Sequence, residues 1–254
     1  MILEVKELTK AFGGLKALEE VSFRVMPGII LSIIGPNGAG KTTLFNCLTG
    51  VFPPTKGRVL FEDKNITGKK PYEITRMGIA RTFQNIRIFG RMSALENVMI
   101  GQHSRSREGF IGAIMRTEGF QREESEIRSK ALEYLEFVGI KEYAYSLAEG
   151  LPYGYQKRLE IARALATEPK VLLLDEPAGG MNPQETMELM ELIKRIKGWG
   201  KTVIIIEHDM KVVMRISDWI IVLDHGVKIA EGSPRQIQNN PDVIEAYLGK
   251  EGIF

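Results

Sequence analysis

The chain has 254 residues, 44% hydrophobic and 26% charged, with 34 Lys and Arg against 32 Asp and Glu. That near-neutral balance leaves no electrostatic footprint for nucleic acid unless a local patch supplies one. A single cysteine excludes an internal disulfide, and no apolar run approaches the roughly 20 residues of a membrane span.

The opening MILEVKELTK lacks the apolar stretch of a secretion signal. A chain that is soluble when isolated, and that meets a membrane only through a partner, is therefore expected. Alternation over 21–25 (VSFRV) predicts a half-buried strand, and the nearly continuous 29–34 (IILSII) predicts one covered on both faces. That strand runs into 35–42, GPNGAGKT, which fits G-x-x-x-x-G-K-[ST] and opens a helix over 41–48. The loop comprises Gly35, Pro36, Asn37, Gly38, Ala39, Gly40, Lys41 and Thr42, with Thr43 behind it. Its glycines let successive backbone N–H groups curl around phosphate oxygens, and the helix adds its positive end. Lys41 is placed to reach β- and γ-phosphates, and the Thr42 hydroxyl is a hard ligand for Mg²⁺. Cys47, in the helix behind, starts no ligand cluster and reads as a buried structural thiol.

A short strand over 79–83 precedes Gln84. From 86 to 165 strand-like runs give way to helical ones. Ser93 and Glu96 form a capping box at a helix start. Residues 122–139 read as an amphipathic helix with Ile127, Ala131, Leu135 and Val138 on one face. The basic, Gly-rich stretch 104–120 reads as an irregular insertion, with a solvated loop and a docking segment both open. The strand 171–175 (VLLLD) delivers Asp175 and Glu176 at its C-terminal end, where ligands bind in open α/β sheets. Asp175 suits Mg²⁺ through water, and Glu176 suits a general base. In the helix 184–198, Met187, Met190, Ile193 and Ile196 recur every third residue, and Gly198 ends it. The strand 202–206 places His208 beside the same edge, whereas His103 and His225 lack such a context. A strand over 219–224 and a closing helix over 241–248 complete the chain. Repeated strand–helix units imply an α/β fold.

Taken together, these motifs and their order resemble the ATP-binding subunits of ABC transporters over essentially the whole chain. The resemblance implies a P-loop NTPase (RecA-like) core with a mainly parallel sheet, an N-terminal antiparallel β subdomain and an inserted α-helical subdomain. It implies one ABC ATPase domain over 1–254, with 1–85 and 166–254 forming the core and 86–165 the helical part. ATP and Mg²⁺ are the implied ligands. Phe12 matches an aromatic under adenine, with Ala17 on the same nucleotide-binding segment. Gln84 matches the Q-loop residue that contacts Mg²⁺ and the attacking water and couples to the membrane subunit. His208 matches the switch histidine. Gly180, Met181 and Asn182 match the D-loop, where Asn182 replaces the common Asp.

The stretch 151–155, Leu151, Pro152, Tyr153, Gly154 and Tyr155, aligns with the signature loop that faces ATP held by a second subunit. Its common form, Leu-Ser-Gly-Gly-Gln, carries a hydroxyl where Pro152 stands. Proline suits the first helical position and leaves the N–H groups of Tyr153 and Gly154 in place, so a competent loop is expected. The segments GGLKAL, RTFQNIRIF, ALENVMIGQH, LPYG, RLEIARALAT and PAGGMNP resemble the LivG type, which serves importers of branched-chain amino acids. Importers of urea, amides or other amino acids have similar ATPases, and a weakly hydrolysing regulatory subunit is a further alternative. The implied partners are a second ATPase subunit (LivF-like, or a second copy) in a head-to-tail dimer, transmembrane permeases, and indirectly an extracytoplasmic binding protein. The implied place is the cytoplasmic face of the membrane, as a peripheral subunit. No nucleic-acid partner is implied. The middle of the chain has neither heptads nor cysteine pairs, unlike the DNA-repair members of the wider group.

Overall fold

The computed structural model describes residues 1–103 and 118–248. Two sheets organise the chain. The first is antiparallel, in the order β2 (Leu15–Val25), β1 (Leu3–Phe12), β4 (Lys56–Phe61), β5 (Lys64–Asn65). The second has six strands, in the order β10 (Val227–Gly232), β9 (Trp219–Asp224), β3 (Ile30–Ile34), β8 (Thr202–Ile206), β7 (Val171–Asp175), β6 (Ile79–Arg81). Only the β9–β10 pair is antiparallel; the other pairs are parallel.

Every residue of β3, β7 and β8 is buried, as continuous apolar runs require when both faces are covered. Their side chains alternate between two cores. Leu31, Ile33, Leu173, Ile204 and Ile206 pack toward the antiparallel sheet and α1 (Lys41–Leu48). Ile30, Leu172, Leu174, Val203 and Ile205 pack toward the helices on the other side. Each such side chain contributes ~1.5–3 kcal/mol relative to exposure.

Those helices are α3 (Ala94–His103), α4 (Glu118–Phe137), α5 (Tyr153–Leu165) and α6 (Pro183–Gly198); α2 (Pro71–Met77) lies earlier in the chain. Ser93 and Glu96 close the expected capping box: the Ser93 N–H donates to Glu96 Oε2 at 2.7 Å and the Glu96 N–H to Ser93 Oγ at 3.2 Å. Ile127, Ala131, Leu135 and Val138 are buried on one face. Helix α4 starts four residues earlier than expected and ends at Phe137, because Gly139 takes a left-handed φ of 76°. The insertion expected over 104–120 falls outside the described residues, except that 118–120 belong to α4.

Two expectations change. The strand over 79–83 stops at Arg81. In α6, Met187 is 37% exposed, and the core face is Leu189, Met190, Leu192, Ile193 and Ile196. A strict three-residue step turns about 300°, so the stripe drifts off the core face within a few steps. Three short helices, α7 (Met210–Ile216), α8 (Pro234–Gln238) and α9 (Pro241–Leu248), follow, the last where a closing helix was expected.

The register places the business ends together. Asp175 pairs with Ile206 across β7–β8, and Ile33 with Ile206 across β3–β8. The loop after Ile34, the carboxylates at 175–176 and the residues at 207–208 therefore line one edge of the sheet.

Candidate active site

The phosphate loop is built by two close approaches. Gly35 has φ 148°, and a Cβ there would lie 2.0 Å from the Leu223 carbonyl oxygen. Gly40, the N-cap of α1, has φ 96°, and a Cβ there would lie 2.5 Å from the Ala17 carbonyl oxygen. No L side chain fits either place. Ala17 is thus brought against the loop. Phe12, on the same hairpin, is exposed, with Phe52 edge-on at 5.6 Å and Lys10 Nζ 4.9 Å above its ring. Phe52 is a partner that no sequence motif marks. Lys41 is buried, and its Nζ donates to the Gly35 and Pro36 carbonyls at 2.6 and 2.9 Å. Burial pulls its pKa down, while the Glu176 and Asp175 carboxylates oppose the fall. Those two carboxylates therefore sit within electrostatic reach of the loop. Thr42 is exposed and Thr43 half-buried in the first turn of α1. Cys47 is buried, and desolvation pushes its thiol up to about 11, which keeps it an inert packing group.

At the end of β7, Asp175 is 3% exposed and Arg81 Nη2 donates to its Oδ2 at 2.7 Å. Arg81 also donates to Asn46 Oδ1 at 2.7 Å and Thr49 Oγ1 at 3.2 Å, tying β6 and β7 to α1. Glu176 takes a left-handed φ of 45°, and its N–H donates to the Ile206 carbonyl at 2.9 Å. A non-glycine residue held there costs of order 1–3 kcal/mol. The turn aims its carboxylate at two expected neighbours. Gln84 Nε2 donates to Glu176 Oε2 at 2.9 Å, and His208 Nδ1 lies 3.8 Å from the same oxygen. Two residues far apart in sequence thus converge on one carboxylate oxygen of Glu176.

Glu207, beside His208, is buried; its Oε1 accepts the Ala178 N–H at 2.9 Å and its Oε2 the His208 N–H at 3.2 Å. Burial pushes its pKa up, against the opposing hydrogen bond from Ala178. It links the loop after Glu176 to the histidine. Arg81 and Glu207 escaped the sequence reading because neither belongs to a spacing pattern; each matters only through what the sheet places beside it. His225 lies exposed in the β9–β10 turn, near Asp224, and the side chain of His103 is outside the described residues.

Pro152 is the N-cap of α5, not its first helical residue: φ is −52° and ψ is 149°. The reason is local. The cap keeps an extended ψ while its carbonyl accepts the Tyr155 and Gln156 N–H groups at 2.9 and 3.0 Å. Leu151 is buried, Tyr153 exposed, and Tyr155 half-buried against Tyr143. The Tyr153 hydroxyl donates to the Gly179 carbonyl at 3.2 Å, and its ring lies 3.3 Å from where a Cβ on Gly180 would stand. A Cβ on Gly154 would meet Glu185 Oε1 at 3.0 Å. The stretches 151–155 and 177–182 are therefore adjacent within one chain. Met181 is half-buried against the core, and Asn182 caps α6, its Oδ1 accepting the Glu185 N–H at 2.9 Å.

Residues 18–179 match the ABC transporter family. Residues 227–253 match the branched-chain amino acid ATP-binding cassette transporter family. The chain is 48% identical over 250 residues to the high-affinity branched-chain amino acid transport ATP-binding protein LivG of Escherichia coli K12, over 98% of each chain. Among solved structures it is similar to the ADP conformation of an ATP-binding cassette of an ABC transporter. That cassette is 37% identical, with TM-score 0.85, over 98% of this chain and 99% of the other. It is also similar to a dimeric bacterial ABC transporter cassette, 29% identical, with TM-score 0.78, over 92% of this chain and 99% of the other. The sheet order, the glycine-built loop and the converging side chains have the same explanation as these matches: the chain belongs to the ABC transporter ATP-binding cassettes and is an ATPase.

Proposed function

We propose that this ATPase powers the import of branched-chain amino acids, as half of a head-to-tail ATPase dimer on the cytoplasmic face of a membrane. The observation that carries the catalytic reading is the convergence of Gln84 and His208 on Glu176 Oε2, at 2.9 and 3.8 Å, beside the phosphate loop. The cargo rests on the likeness to LivG and on the C-terminal family match.

In this reading Phe12 stacks the base, with Ala17 against the loop, and the N–H groups of residues 35–43 hold the phosphates. Lys41 exchanges its two carbonyl partners for β- and γ-phosphate oxygens. Glu176 takes a proton from the attacking water as the bond from phosphorus to the leaving oxygen breaks, and Gln84 and His208 hold that water and the γ-phosphate in line. Leu151, Pro152, Tyr153, Gly154 and Tyr155 face the nucleotide of the second subunit, and Gly180, Met181 and Asn182 lie along the same interface. Among the described residues, 86–103 and 118–165 make up the helical unit that carries this loop, and 1–85 with 166–248 the core.

The donor chemistry fits Mg²⁺. Thr42 and Gln84 offer neutral oxygens, and Asp175 offers Oδ1 because Arg81 engages Oδ2. Few hard protein oxygens, completed by phosphate and water, suit this ion. When bound it neutralises charge on the β- and γ-phosphates. Permeases and a second, LivF-like ATPase are the partners through which an extracytoplasmic binding protein acts.

Glu176→Gln tests the reading. It removes the base but keeps a hydrogen-bond acceptor, so kcat should fall ~10²–10⁴-fold while ATP binding is retained. Unchanged turnover rejects Glu176 as the base. The cargo is tested separately, by whether a binding protein loaded with leucine, isoleucine or valine stimulates hydrolysis in the assembled complex. Stimulation by urea or an amide instead would replace the cargo and leave the chemistry intact.

A further inference from the structure

Gln84 sits in a segment with little backbone support. Among the described residues, 83–87 make no backbone–backbone hydrogen bond, and the segment lies between β6 and α3 with no regular structure of its own. The hydrogen bonds to its backbone come from α5. Lys157 and Glu160, three residues apart on that helix, share a face, and they are only 4% and 2% exposed. Lys157 Nζ donates to the Gln84 carbonyl at 2.9 Å. Glu160 Oε1 accepts the Phe83 N–H at 3.4 Å and the Arg87 N–H at 3.2 Å. One side chain therefore grips the carbonyl of Gln84 while the other grips N–H groups on either side of it.

Charged groups are expensive to bury unless engaged. Burial pulls the lysine down and pushes the glutamate up, and each charge offsets part of the shift of the other. Keeping such a pair inside the protein fits a requirement for a fixed backbone at this place. Four residues before Lys157 stands Tyr153, in the loop that faces the second nucleotide. A rigid helix thus joins that loop to the Gln84 backbone, and the Gln84 amide ends on Glu176.

We propose that Lys157 and Glu160 are positioning residues that set where Gln84 presents its amide to Glu176, so that the state of the signature helix is felt at the chain's own catalytic carboxylate. The proposal rests on the reading of Gln84 and Glu176 given above.

The test is a double-mutant cycle in the full chain, purified with the subunits that accompany it. Lys157→Met and Glu160→Leu should each lower kcat for ATP hydrolysis about tenfold or more, with KM changed less than about twofold, since small misplacements are costly for rate. In a Gln84→Ala background the same substitutions should cost less than about twofold, because the side chain they position is gone. Glu160→Gln, which keeps an acceptor for both N–H groups, should restore about half or more of the wild-type rate. Lys157→Met is close in shape to the lysine, and thermal unfolding confirms that each variant is folded. A full loss in the Gln84→Ala background, or no loss in the wild-type background, overturns the proposal. If Gln84→Ala alone hydrolyses ATP at the wild-type rate, the assignment of Gln84 fails and the positioning proposal fails with it. If Gln84→Ala is impaired but the α5 variants are not, only the positioning proposal fails.

Discussion

Pro152 combines a φ of −52° with an extended ψ of 149°, a pair that proline adopts without strain. At an N-cap its missing N–H has no helical partner to lose, and the N–H groups of Tyr153 and Gly154 belong to the first turn, which has no intrahelical acceptor. The phosphate donors proposed for this loop are thus main-chain groups that a side-chain change does not remove. Pro152→Ser should therefore change turnover of the assembled complex by less than about twofold. A hydroxyl bond to a charged group contributes ~1.5–3 kcal/mol; a rise of tenfold or more would show that the wild-type loop lacks such a bond. At this scale the glycines and Lys41 were legible in sequence, because G-x-x-x-x-G-K-[ST] is a local spacing, although the Leu223 and Ala17 carbonyls that crowd Gly35 and Gly40 are distant in the chain. Arg81 and Glu207 were not. Arg81 matters because β6 lies against β7, and Glu207 because the Ala178 loop passes over it.

Helix α6 shows what an element's sequence controls. Asn182 and Glu185 cap each other's backbone N–H groups at 2.9 Å, and Pro183 occupies the first turn. Asn182→Ala should lower unfolding stability by about 0.5–2 kcal/mol in a denaturant titration, and Asn182→Asp, which keeps the acceptor, by much less. Loss of ATPase without loss of stability in Asn182→Ala would separate a role at the subunit interface from the cap. The buried face of α6 was only partly legible: of the four residues that recur every third position, Met190, Ile193 and Ile196 are buried, but Met187 turns outward, where Arg215 Nη1 lies 2.9 Å from its sulfur. An apolar residue every third position satisfies several helix faces in turn, and which face becomes core depends on the neighbour it packs against.

For the whole molecule, the decisive feature is that β8 lies between β3 and β7. That order sets the phosphate loop, Asp175 and Glu176, and Glu207 and His208 side by side. The edge is half of a site if the loop 151–155 faces a second subunit's nucleotide. Glu176→Gln with ATP and Mg²⁺ should therefore shift the chain, with its partner or a second copy, to a two-subunit mass by light scattering, and chelating the Mg²⁺ should reverse the shift. A mass unchanged by ATP under both conditions would reject the shared site. The sequence by itself determined the strands buried on both faces, the glycine loop, the capping box at Ser93 and Glu96, and the family, because each depends on residues close together in the chain or on motif order. Only the tertiary structure decided which side chains meet: Gln84 with Glu176, Arg81 with Asp175, and Lys157 and Glu160 with the segment 83–87. Those pairs are separated by 73 to 94 residues, and sheet order and helix packing, not local propensity, bring such distant groups within hydrogen-bond reach.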